Sequence, residues 1–98
     1  MNFDLDYDYL IELWNNQKGL CYYTGQLLSL SRERKNADGV SLDKLTPENG
    51  YIKGNVVWTT RLINLSKGNR NEIEFLEFCQ TVTKYNESKC IDNIVKKC

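Results

Sequence analysis

The 98-residue sequence contains no histidine, only one proline and no pair of cysteines at CxxC spacing. The missing histidine removes the commonest general base and the commonest zinc ligand. Cys21, Cys79, Cys90 and Cys98 lie 58, 11 and 8 residues apart. That spacing excludes a zinc ribbon or a thioredoxin-like motif. Free, mostly buried thiols are the expectation, with a four-thiolate zinc site assembled in three dimensions as the alternative. No apolar run approaches the roughly 20 residues that span a bilayer. The opening MNFDLDYDYL is acidic where an export signal would be basic, so the expected setting is cytosolic, with no membrane partner and with reduced thiols.

Neither sign of charge prevails, since Lys+Arg and Asp+Glu are both 13. The distribution is uneven. Asp4, Asp6, Asp8 and Glu12 outnumber Lys18 within residues 1–31, leaving −3, whereas 32–70 carries eight bases against four acids, or +4. A basic middle segment is what a phosphate-binding face needs, although solvated basic loops read the same way from charge alone. With 41% hydrophobic and 27% charged residues the chain is ordinary for a globular protein and unlike a disordered one. Its length allows one domain, 1–98, with a small core.

Residues 4–17 set Leu5, Tyr9, Leu10, Leu13, Trp14 and Gln17 near one helical face. Asp4 or Asn2 can cap this helix, and Gly19 stops it. LCYYTGQLL reads as a tight knuckle turning at Thr24-Gly25, and 31–39 as a polar surface loop. VSLDKL (40–45) and NVVWTT (55–60) read as strands joined by about nine residues, with the Asn49-Gly50 step as the turn signal. A helical pattern then runs from Arg61 to about Gly68, and Asn71 caps a further helix. The tail 85–98 reads as a short final helix or an oligomerisation element.

Ser41-Leu42-Asp43-Lys44, Gly50-Tyr51, Gly54-Asn55-Val56-Val57-Trp58 and Asn64…Lys67-Gly68 form an ordered series. In it the chain resembles the HNH nuclease superfamily, most closely the small phage and mobile-element members with an SLDR…GY..GNV.W…N..KG signature. Trp14…Gln17…Gly19…Cys21…Thr24-Gly25 is similar to the lead-in of that family, and Phe75-Leu76…Cys79 to the helix that follows. The resemblance spans roughly 13–80. It implies an α+β fold of the ββα-metal (His-Me finger) type, a hairpin plus helix flanked by N- and C-terminal helices. It also implies a bacterial host cytoplasm and a phage or mobile-element origin.

By the same resemblance, Asp43 is the metal-coordinating aspartate of the hairpin and Asn55 the residue tying the inter-strand loop to the backbone. Asn64 is the second metal ligand. A carboxylate and an amide oxygen are hard donors suited to Mg²⁺ or Mn²⁺. The departure is Lys44, which stands where active members carry the histidine base. A lysine of ordinary pKa, about 10.4, is neutral in only about one molecule in 2,500 at pH 7. Lys44 therefore reads as a phosphate clamp, which leaves Glu48 or a metal-bound hydroxide as base. Thr24 stands where a second zinc thiol would be, so no structural zinc is expected, and Trp14, Tyr22, Tyr23 and Trp58 pack in its stead. Tyr51 can stack on a base or sugar, and Arg61 and Lys67 can face a phosphate backbone, with surface solubility as the bland alternative.

Three functions are open on these residues. One is a divalent-metal-dependent DNA endonuclease working through Asp43, Asn64 and a non-histidine activator. Another is a lapsed module that binds nucleic acid or a nucleotide-type phosphate ligand, such as a phage inhibitor or sequestering protein. The third is an interaction domain that forms a homo-oligomer through its first helix and tail.

Overall fold

The computed structural model of the chain describes residues 3–30 and 38–97. Helix α1 (Tyr7–Gln17), strands β1 (Val40–Lys44) and β2 (Val56–Thr60), and helices α2 (Arg61–Lys67) and α3 (Glu72–Lys97) follow in order. Among the described residues this is a small α+β domain of three helices and one two-stranded antiparallel sheet. None of these helices is long and apolar enough to cross a membrane.

Helix α1 starts at Tyr7, later than the 4–17 pattern predicts, because Asp6 is its cap: Asp6 Oδ1 accepts the Tyr9 N–H at 2.8 Å. Asp4 is engaged elsewhere. Its carboxylate accepts the Lys53 N–H at 2.7 Å, and its own N–H donates to the Tyr51 carbonyl at 3.0 Å. The helix ends in a left-handed turn at Lys18 (φ 58°) and Gly19 (φ 70°). Glycine suits position 19 because its φ is left-handed, and a Cβ there would also press to 3.3 Å on the Trp14 ring.

The strands pair from Val40↔Thr60 to Lys44↔Val56. Their connection contains a 3-10 turn at Pro47–Asn49 and reverses at Gly50 (φ 78°), where the Asn-Gly step predicts a turn. Alternation along the strands sends Trp58 toward α1 and Ser41 and Asp43 toward α2. On the α1 side, Trp58 meets Trp14 edge-on at 5.9 Å, and its indole N–H donates to the Leu10 carbonyl at 3.1 Å. The outer edge of β2 would leave backbone groups unpaired. Gln17 fills that need: Oε1 accepts the Trp58 N–H, and Nε2 donates to the Trp58 and Leu20 carbonyls, each at 2.9 Å.

The apolar core is small: Cys21, Leu28, Val56, Val57 and Phe75, with Thr59 and Thr60 buried beside them. Thr60 also caps α2 by accepting the Ile63 N–H at 3.1 Å. Asn71 and Glu74 form a reciprocal capping pair at the head of α3, and the Glu72 N–H donates to the Leu45 carbonyl at 2.9 Å. The tail is no separate element, because α3 continues unbroken to Lys97. The loop residues 31–37 and the terminal Cys98 lie outside the described residues.

Candidate functional site at the hairpin–helix junction

Helix α2 follows β2 without a linker, so its inner face lies against β1. Asn64 and Lys67 are three residues apart, about one helical turn, and both reach that strand. The Asn64 amide nitrogen donates to Ser41 Oγ at 2.7 Å and, at 3.4 Å, to the Leu42 carbonyl. Those acceptors orient the amide with its N–H₂ toward β1.

Lys67 is the main departure from the sequence reading. It is fully buried, at 0% exposure, so it does not face a phosphate backbone. Its ammonium lies 3.1 Å from Asp43 Oδ2 and 3.3 Å from Oδ1, and donates to the Lys44 carbonyl at 2.7 Å. The ammonium thus faces three oxygens, two of them as hydrogen-bond acceptors, which lets a cation stay out of water. Asp43 is itself 3% exposed. Burial pushes its carboxyl above the usual value, against the opposing pull of Lys67, Tyr23 and Lys44.

Tyr23 closes the cluster. Its hydroxyl reaches Asp43 Oδ2 at 3.4 Å, and its ring packs edge-on against Phe75 at 5.3 Å. Tyr22 packs edge-on against Tyr23 and donates from its hydroxyl to Glu72. Burial first, then the charges of Asp43 and Glu72, hold the Tyr23 phenol well above its ordinary value of 10.0. The unfolded chain releases this proton near pH 10 while the folded chain keeps it, so stability falls as pH rises through that range. Thermal melts should therefore show a drop in Tm between pH 9 and pH 11 that is smaller in Tyr23→Phe. An equal drop in both proteins would show that Tyr23 has no part in it.

The other expected residues divide into two places. At the loop end of the hairpin, the Lys44 ammonium sits 4.9 Å over the Tyr51 ring, with Phe3 tilted against that ring at 6.2 Å. Tyr51 itself is half-buried. Asn55 holds this loop: Oδ1 accepts the Thr46 N–H at 3.0 Å, and Nδ2 donates to the carbonyls of Thr46 (2.9 Å) and Gly50 (2.7 Å). This is the structural tie expected of Asn55. Arg61 starts α2 beside Thr60, the partner of Val40, at the other end of the strands. Four residues of strand, about 13 Å, separate the Lys44 and Arg61 ends. Glu48 is exposed in the loop.

A divalent ion of the Mg²⁺ type asks for about six oxygen donors in near-octahedral geometry. Here the carboxylate oxygens of Asp43 are engaged by an ammonium, and Asn64 turns N–H groups toward β1. As arranged, this donor set does not fit a divalent ion. Among the described residues no three of His, Cys, Asp or Glu group closely enough to hold a metal. The resemblance carries Asp43, Asn55 and Asn64 but does not give Ser41, Tyr23 and Gln17 as partners. Lys67 pairs with Arg61 in the sequence as a phosphate-facing cation; its one-turn spacing from Asn64 is the signal that places it on the inner face of α2 instead. The chain matches no family model, no curated protein and no solved structure.

Proposed function

We propose that the chain is an HNH-like ββα module that binds nucleic acid, with DNA as the first candidate, and does not hydrolyse it. The observation that carries this reading is the Asp43–Lys67 pair in a chain with no histidine. The hairpin, the helix that follows it directly, and the loop tied by Asn55 are the parts the resemblance to HNH proteins calls for. The histidine that would activate water is missing, and the carboxylate that would hold a metal is paired with an ammonium from within. Lys44 and Tyr51 supply a cation and an aromatic face at the loop end, and Arg61 a second cation at the far end. A backbone-tracking ligand of two or three nucleotides spans such a distance.

A second reading is a divalent-metal-dependent endonuclease, favoured by the approach of Asn64 to the strand that carries Asp43. It requires Lys67 to leave the carboxylate. Two assays separate these readings. Fluorescence anisotropy with a labelled single- and double-stranded oligonucleotide should show binding that weakens steeply with salt, with Lys44→Ala lowering the salt slope by about 1. Supercoiled plasmid with Mg²⁺ or Mn²⁺ should stay intact. Metal-dependent nicking by wild type, lost in Asp43→Asn that is shown to be folded, would replace the first reading with the second. No binding to either oligonucleotide at low salt would remove both.

A further inference from the structure

A buried lysine is uncommon, and one whose ammonium meets both oxygens of a single carboxylate and a main-chain carbonyl is a specific construction. The three acceptors are all oxygens, two from Asp43 and one from Lys44. That is the donor chemistry a hard metal ion would recruit. The cation here belongs to the chain and is held by a helix only seven residues long. It is also fixed at its root, because Thr60 caps α2 at one end and the Gly68 N–H donates to the Asn64 carbonyl at the other. Asn64, one turn earlier, is locked to Ser41, so the face of α2 that carries Lys67 cannot rotate away without losing that bond.

We infer that Lys67 is a built-in cation that takes the position at Asp43 a divalent ion would need, so that the native chain excludes the metal and shortening Lys67 opens a site for it. The acceptors stay behind when the ammonium is removed: Asp43 Oδ1 and Oδ2 and the Lys44 carbonyl, with space for water where the lysine stem lay. A buried carboxylate left without its cation then gains from any ion small enough to enter. The inference rests on the HNH-like reading for the choice of ion, but not on whether the chain binds nucleic acid.

The test is Mn²⁺ binding, followed by the electron paramagnetic resonance signal of free Mn²⁺, in wild type, Lys67→Ala and the Lys67→Ala/Asp43→Asn double variant. The expected result is one Mn²⁺ per chain in Lys67→Ala, bound at least tenfold more tightly than by wild type and accompanied by a rise in Tm. The double variant should lose that site. Equal Mn²⁺ affinity in wild type and Lys67→Ala would overturn the inference. Should Lys67→Ala fail to fold, wild type alone decides through its amide NMR spectrum. Selective broadening of the Asp43 and Lys44 signals by substoichiometric Mn²⁺ would mean that the lysine yields to the metal, and their persistence would mean that it does not. Because none of these measurements contains nucleic acid, a failure here and a failure of oligonucleotide binding are read separately.

Discussion

Asp43→Ala is expected to destabilise the protein by about 3–5 kcal/mol, a large share of the margin of a domain this small, because it strands the Lys67 ammonium in a dry site. Lys67 is wholly enclosed, and its remaining acceptor would be the Lys44 carbonyl. Removing the pair together is a different matter. An Asp43→Leu/Lys67→Met variant replaces two charges by apolar groups of similar volume, a change that is often neutral or stabilising. The Tyr23 hydroxyl and the Lys44 carbonyl lose partners in that variant, so recovery should be substantial but not complete. Urea denaturation followed by circular dichroism measures all three proteins. A loss of less than 1 kcal/mol in Asp43→Ala would show that the pair is not closed to water. The result also bears on any cleavage assay, since an inactive Asp43→Ala protein is informative only if it is folded.

Asn55→Ala is expected to be the next most damaging change, at about 2–3 kcal/mol. One side chain donates two hydrogen bonds and accepts one in the loop, and all three partners are main-chain groups at Thr46 and Gly50. Alanine leaves the buried ones unsatisfied. Asn55→Asp keeps the bond from the Thr46 N–H but turns a charged oxygen toward two carbonyls, so it should be no better than alanine. The same loop carries Tyr51 to Lys44, and oligonucleotide binding should therefore fall along with stability. Hydrogen exchange at the Thr46 amide, read beside the urea curves, checks the local cause. Unchanged protection at Thr46 in Asn55→Ala would reject this account of the loop.

The contrast between these two residues explains what could be read from the chain. Asn55 sits between Gly54 and a β-branched run, and its role is local, nine residues from Thr46 at most. A tie this short falls within one motif, and the resemblance that the motif carries is what implies the role of Asn55. The strands, the Asn49-Gly50 reversal, the Thr60 junction and the Asn71 cap are local as well. Lys67 and Asp43 are 24 residues apart, and nothing in the helical spacing of Lys67 says which side of α2 meets a strand. The start of α1 failed for the same reason. Asp4 is a sound capping residue by type, but the Lys53 amide, 49 residues away, claims it, so Asp6 caps instead. Gln17 was visible as part of the helix face, whereas its bonds to Trp58 join positions 41 apart.

Trp14 and Trp58 are the only two tryptophans, and they touch edge to face at the seam between α1 and the hairpin. The seam therefore carries its own optical gauge. Indole emission and the near-ultraviolet dichroism of the coupled pair report whether α1 is docked. Excitation at the red edge selects the two indoles over the six tyrosines. Undocking of α1 can thus be followed in the unlabelled protein, without a probe that would disturb so small a core.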